Sequence, residues 1–527
     1  MTMQSKLRTL RAGFDPQMGA RNSMLARWIF LRALALIYLS AFFSLLFQIK
    51  GLIGPQGIEP AGRYLRLVAQ YYGGLRFWDA PSLFWVSSSS AAMMTVTWIG
   101  IAASLLAFCN IWPRVSLFLC WACFLSFVTA AGDFSSYQSD GMLLEAGFIS
   151  LFFAPSGLRP RLGWDRPPSR ISLWLLRWEW FRIYFESGGV KLLSGDSQWH
   201  NLTAMDEYYQ NSPLPTWIGW YVQHLPHWFH AASVVGTLGM ELVLVFLLFF
   251  PQRVRMICFC IVTPWEIGVI LTGNYAFLNY IVLALGFLLL DDVYLARLLP
   301  KRFQPREAGS VESNASVSSL RVAIQAAGVV LSGCVLLWIG YATTAEMVDI
   351  GGHNVLPLTP ASVIEQFRVA NQYGLFAVMT RGRYEIEFQG SNDGQNWQPY
   401  LFTHKPQLLN EAPGIYAPYQ PRFDWNLWFA SLGDWQRNDM VPITEEKLLM
   451  GDPDVIGLFR ADPFHDAPPR YVRAVLWQYW FTSMQEKHQT GNWWRRKMLG
   501  LYAPAIERTT DGKFEISAPP DELPEHD

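Results

Sequence analysis

Residues 178–215, WEWFRIYFESGGVKLLSGDSQWHNLTAMDEYYQNSPLP, decide how the chain is read. The stretch opens as a helix inside a lipid-compatible segment, yet Glu179, Arg182 and Glu186 recur at i, i+3 and i+7 and so share one helical face. Such a stripe cannot face hydrocarbon. A charge at bilayer depth costs at least about 2.5–3.5 kcal/mol, so these groups must pair or line a polar interior. The helix ends near Ser187-Gly188-Gly189, carries Lys191 at its far end, and gives way to a polar, aromatic-rich segment with Asp196, Trp199, His200, Asp206 and Glu207. A membrane core here meets a water-facing surface.

Working outward, 51% of the residues are apolar and only 16% charged, against roughly 25% charged in a soluble domain. That composition implies an α-helical polytopic membrane protein. The net charge of −1 and the absence of a Lys/Arg-dense run set nucleic acid aside as a partner. Apolar runs place about nine transmembrane helices near 27–48, 91–111, 114–131, 141–155, 171–193, 229–250, 254–272, 275–291 and 320–341. Residues 1–26 form a basic N-terminus, 27–341 the helical domain, and 300–319 a flexible linker within it.

Basic residues fall before the first span and in the loops after the fourth, sixth and eighth, whereas loops 132–140, 194–228 and 272–275 have none. The first loop, with Lys50, Arg63, Arg66 and Arg76, dissents. The positive-inside rule puts the N-terminus in the cytoplasm and everything after about 342 on the opposite side.

Beyond the last span, YEIEFQGSNDGQNWQPYLF (384–402) alternates, turns at Asn392-Asp393-Gly394 and alternates again, a β-hairpin pattern. A mostly β, Trp-rich extracytoplasmic domain is expected over 360–508, followed by a disordered acidic tail, 509–527.

A resemblance joins the two parts. DGMLLEAGF (140–148), residues 187–215, HLPHWFH (224–230), LTGNYAFLN (271–279), LDD (290–292), EFQGSNDGQNW (387–397), KPQ (405–407), APYQPRFDWNLWFA (417–430) and WWRRKMLGLYAP (493–504) together resemble the lipase maturation factor family. The resemblance implies a multi-spanning protein that assists folding and assembly of secreted lipases, with extracytoplasmic client proteins and membrane lipid as partners. It implies residence in the endoplasmic reticulum membrane of a eukaryote; in a bacterium the chain would occupy the inner membrane. It singles out Asp196, Trp199, Asp206, Pro213, Pro215 and Asn274 in the loops, and Gly390, Asp393, Gly394, Trp397, Pro421, Arg422, Asp424, Trp425 and Trp428 in the C-terminal domain.

The residues themselves leave several chemistries to weigh. Cys120-Trp121-Ala122-Cys123 has dithiol spacing, but FLCWACFLSF is an apolar helix interior where cysteine behaves as a small hydrophobe. His224, His227 and His230 could be drawn as a metal site, yet Pro226 disturbs their spacing and no carboxylate partner is evident, so they read as part of an interfacial aromatic belt with Trp217, Trp220, Tyr221 and Trp228. No metal or cofactor is expected.

Glu145, Glu179, Arg182, Glu186, Lys191, Glu241 and Glu266 form either a structural polar network or an intramembrane ligand site. Neither a GxSxG, a Walker A nor an HExxH motif accompanies them. Three functions therefore stay open: a maturation factor whose C-terminal domain presents an apolar face, which is favoured; an integral-membrane enzyme of carboxylase-like architecture; and a transporter, for which no internal repeat speaks.

Overall fold

A computed structural model describes residues 20–135, 137–298, 319–352, 355–509 and 511–524. Most of the basic N-terminus and the linker expected at 300–319 lie outside these residues. The helical domain comprises α1 (Met24–Ile53), a surface helix α2 (Ala61–Tyr72), α3 (Ser90–Phe108), α4 (Pro113–Ala130), α5 (Gln138–Phe153), α6 (Arg170–Leu193), α7 (Trp217–Gln223), α8 (His227–Leu242), α9 (Gln252–Thr272), α10 (Leu278–Gly286), α11 (Asp292–Leu298) and α12 (Ser319–Val348).

Every expected span is thus a helix, but α6 does not end near Ser187-Gly188-Gly189 as the glycines suggested: it runs through them to Leu193. Among the described residues, six are long and apolar enough to cross a membrane: Arg21–Ile53, Ser90–Phe108, Pro113–Ala130, His227–Phe249, Gln252–Thr272 and Ala326–Gly351. The other three differ for physical reasons. α5 is 16 residues long and buries Asp140 and Glu145, α6 carries the charged stripe, and the apolar helix at Leu278–Leu289 is short. These three pack inside the bundle, where other parts of the protein rather than lipid meet their polar groups: residues 371–373 for Glu145, Arg182 and Glu186, and Arg422 for Asp140.

The two ends of the bundle are chemically distinct. At one end Arg27 donates to the carbonyls of Arg166 (2.9 Å) and Leu162 (2.6 Å), Arg114 to that of Ala154 (2.7 Å) and Arg177 to that of Leu288 (2.7 Å), while Asp292 caps α1 at Met24 and Leu25 (both 2.8 Å). The C-terminal domain packs on the other end. The dissenting charges Arg63 and Arg66 lie there on α2, whose Ala61, Leu65 and Val68 are buried while Tyr71 and Tyr72 are exposed, and Arg76 follows beside the exposed Phe77 and Trp78. An amphipathic helix mixing basic and aromatic residues belongs at a headgroup interface, where retained arginines do not oppose the charge rule.

In the C-terminal domain, β1 (Arg383–Ser391), β2 (Gln398–Pro399), β3 (Tyr471–Phe481), β4 (Trp494–Leu501), β5 (Ala505–Arg508) and β6 (Phe514–Ala518) form one sheet, with α13 (Arg422–Ala430) and α14 (Met440–Met450) against it. The order is β2-β1-β3-β5-β6, all antiparallel, with β4 pairing β3 beside β5. The expected turn is present. Gly394 has φ +71°, and the Asp393 carboxylate accepts from the N–H groups of Gln395 and Asn396 (both 2.8 Å), which holds its pKa below the ordinary carboxylate range.

β1 is buried on both faces. Ile386 and Phe388 enter the core, while Glu385 and Glu387 on the reverse are met by Lys405 (2.9 Å) and Arg496 (2.9 Å). Gly390 is needed because a Cβ there would lie 2.4 Å from Phe464, and Trp397 is covered by the Arg473 guanidinium at 4.0 Å.

One expectation needs correction. The tail is not disordered throughout: Phe514–Ala518 pairs with β5, and Asp521 exchanges hydrogen bonds with Leu501 at 2.7 and 3.1 Å. β6 is mostly exposed, so backbone pairing to a free edge rather than burial orders it.

Candidate functional site

Most of the singled-out residues converge on the seam between the bundle and the C-terminal domain. On α6, Arg182 is fully buried and pairs with Glu145 of α5 and with Glu186 (3.6 Å). Glu179 is therefore not among its partners: it shares the face by spacing and is buried but forms no ion pair with Arg182. Residues 371–373 close the network: Asn371 takes Arg182 on its carbonyl (2.7 Å) and donates to Glu145 (3.2 Å), the Tyr373 hydroxyl donates to Glu145 (2.9 Å), and the Tyr373 N–H donates to Glu186 (2.5 Å). Two buried carboxylates and one guanidinium are thereby solvated by protein.

A second pair lies nearby. Arg422, at the start of α13 next to Pro421, reaches Asp140 on α5 with Nη1 (2.7 Å) and Nη2 (2.8 Å), donates to the Phe134 carbonyl (2.6 Å), and lies 4.7 Å from the Phe127 ring. All of these groups are buried. Asp424, two residues further, accepts from the N–H groups of His404 (3.3 Å) and Lys405 (3.2 Å).

The loop residues have related tasks. Asp196 caps the turn at Gln198 (2.9 Å) and accepts the Met379 N–H (2.7 Å), while the Trp199 indole donates to the Phe376 carbonyl (3.0 Å). Asn274 accepts from Tyr416 (2.7 Å) and Ala417 (3.0 Å) and donates to the carbonyls of Leu214, Pro215 and Gly414 (3.1, 3.3 and 2.9 Å). Pro213 lends its carbonyl to Arg383 (3.2 Å), and Pro215 bridges Gly273. Each fastens the C-terminal domain or its approach segment to the bundle, or one loop to another.

The histidines are not brought together. His224 faces the carbonyls of Trp220 and Thr482, His230 that of Leu225, and His227 meets Asp206 at 2.9 Å, a carboxylate neighbour that the sequence spacing did not reveal. Trp217, Tyr221 and Trp228 are exposed, as an interfacial belt requires, whereas Trp220 and His230 are buried, Trp220 in a cluster with Phe481 and Trp494, and do not belong to it. Cys120 and Cys123 are buried within α4, Cys120 lying 3.5 Å from the Ser104 hydroxyl.

Two cavities adjoin the seam. A groove of about 650 Å³ lies between the bundle end, at Tyr137 and Asn211, and the C-terminal domain, at Trp425, Trp428, Phe429 and Met440. Residues 374–380 run along it, with Val378 69% and Phe429 49% exposed. Trp425, Trp428 and Trp494 are buried and serve as core, while Trp397, Trp435, Trp477, Trp480 and Trp493 are half-buried. A second cavity of about 430 Å³ lies among α6, α8, α9 and α10 and holds Lys191, Glu241 and Glu266. Tyr208, Tyr275 and Phe376 line both and form the wall between them.

Asn371, Tyr373, Asp140 and Gln48 were not assigned a role from sequence. Gln48, near the end of α1, donates to the Gln420 carbonyl (3.0 Å) and accepts the Arg422 N–H (2.7 Å). A polar residue late in an apolar span, and an acid opening a short one, were the available signals.

Comparison with known proteins agrees with this division of the chain. Residues 25–297 match the lipase maturation factor transmembrane domain and residues 369–504 the lipase maturation factor C-terminal domain. The chain is 32% identical to lipase maturation factor 2 of Gallus gallus, over 94% of this chain and 84% of that protein. Identity is 30% with lipase maturation factor 2 of Homo sapiens (92% and 83% covered) and 29% with lipase maturation factor 1 of Bos taurus (94% and 91%). No solved structure matches the chain.

Proposed function

The chain belongs to the lipase maturation factor family, whose members' names support a membrane maturation role, and on that premise we propose that it holds partly folded secreted proteins, lipases by family, in the groove at the seam. The observation that carries this is the groove itself. It is built from both domains, sets aromatic and aliphatic side chains such as Phe376, Trp428 and Met440 among polar ones such as Gln138, Asn211 and Arg437, and has an accessible apolar rim at Val378 and Phe429. Such a surface suits exposed apolar segments of an unfinished chain.

The basic end of the bundle faces the cytoplasm in this reading, and the C-terminal domain lies on the opposite side, where secreted clients fold. Alkaline phosphatase fused to the C-terminus in a bacterial host should be active; activity of a cytoplasm-only fluorescent reporter there would reverse the orientation. The closure of Glu145, Arg182 and Glu186 by residues 371–373 supports a structural role for these charges rather than a reaction at them.

A photocrosslinking amino acid at Val378 or Phe429 tests the groove, with one at Ile516 as a distant exposed control. With a co-expressed secreted lipase, crosslinks to the lipase should form from the first two positions and not from the third. Equal yield from all three, or none from the groove, would overturn the assignment.

A further inference from the structure

The cavity among α6, α8, α9 and α10 shares the Tyr208, Tyr275 and Phe376 wall with the groove but has its own opening. α8 and α9 both line it but scarcely approach each other backbone to backbone. Trp265 of α9 bridges the gap, its ring 3.7 Å from where a Cβ on Gly236 of α8 would lie. Pro264, which cannot donate to the carbonyl one turn earlier, interrupts the α9 ladder at this level. Pro264, Gly268 and Leu271 line the cavity and are exposed, so it opens on the bundle perimeter, where the neighbouring medium is lipid.

The interior is mostly apolar, with a polar inner wall. Glu241 holds Lys191 by both oxygens (2.8 and 2.9 Å), and Glu266 accepts from the Tyr184 hydroxyl and the Asn279 amide (both 2.6 Å). Lys191 is the one cation among the described lining residues, and it is already neutralised. An acidic head would thus face two carboxylates with no free cation. A hydroxyl group, by contrast, can donate to the carboxylates or to the Tyr184 oxygen, whose own proton goes to Glu266, and an ester carbonyl can accept from Lys191. The volume, about 430 Å³, is within the usual 300–1,000 Å³ of small-molecule pockets and suits one chain rather than a whole two-chain lipid.

We propose that this cavity binds a neutral single-chain amphiphile of the monoacylglycerol type, its chain entering between α8 and α9 and its hydroxyl head meeting Glu266, Tyr184 and the Lys191–Glu241 pair.

The test uses the full chain in phosphatidylcholine nanodiscs and a monoacylglycerol with a diazirine in its chain, beside a fatty acid and a lysophosphatidylcholine carrying the same chain. The monoacylglycerol probe should label residues 229–241 and 264–272 and be displaced by unlabelled monoacylglycerol. Gly268→Phe fills the opening, and since nothing beyond its own stretch of helix lies within 4 Å of the position its Cβ would take, it should fold while cutting labelling at least tenfold. Gly239→Phe, at an equally open position that does not line the cavity, should leave labelling unchanged. Equal labelling by all three probes, failure of displacement, or preference for the fatty acid or the lysophospholipid would overturn the proposal. Should Gly268→Phe not accumulate, displacement and probe preference in the parent protein decide the question.

Discussion

Arg422 and Asp140 offer a direct measure of how firmly the C-terminal domain is seated. Arg422→Leu removes two hydrogen bonds to a buried carboxylate and one to the Phe134 carbonyl, leaving Asp140 without its guanidinium. Breaking a buried pair from one side costs about 3–5 kcal/mol, whereas replacing both partners by apolar residues is often neutral or stabilising. Arg422→Leu and Asp140→Leu should therefore each weaken the seam by about 3–5 kcal/mol, and the double variant should recover most of the loss. At about 1.4 kcal/mol per decade, seam opening should increase about two to three and a half decades in the single variants. Hydrogen exchange at the Tyr373 and Met379 amides, which donate to Glu186 and Asp196 across the seam, reports that opening in nanodiscs. Unchanged exchange in both single variants, or a double variant as fast as the worse single one, would refute the pairing.

Three further outcomes are expected. Arg182→Leu should lower the amount of folded protein in the membrane, and Glu145→Gln with Glu186→Gln should restore it while Glu179→Gln does not; restoration by Glu179→Gln instead would contradict the partners in the structure. Cys120→Ala with Cys123→Ala should retain maturation activity at a packing cost on the order of 1 kcal/mol, and a well-folded variant lacking that activity would return a redox role to the pair. Burial, with Asp133 close by, pushes the Glu59 carboxyl up to about 7 from an ordinary 4.5, so the folded state binds its proton more tightly than the unfolded one. Stability from this group is full below about pH 4.5 and is lost as pH rises through 7. Glu59→Gln should raise the melting temperature at pH 8, by on the order of 2 kcal/mol in stability, and leave it unchanged near pH 4; an equal shift at both values would show that titration is not the cause.

Sequence by itself determined the features that depend on local spacing. The apolar runs located the nine long segments of the bundle though not its short helices α2, α7 and α11, alternation around Asn392-Asp393-Gly394 located β1, and the i, i+3, i+7 spacing required that Glu179, Arg182 and Glu186 turn away from lipid. It could not say which carboxylate Arg182 would meet, because helical period fixes a face but not the neighbour opposite it. Only tertiary packing brought Glu145 from α5 to that face and left Glu179 apart, and only packing set Arg422 on Asp140, 282 positions earlier. The same reason accounts for the seam and its two cavities: they are spaces between elements distant in sequence, and no local periodicity encodes a space.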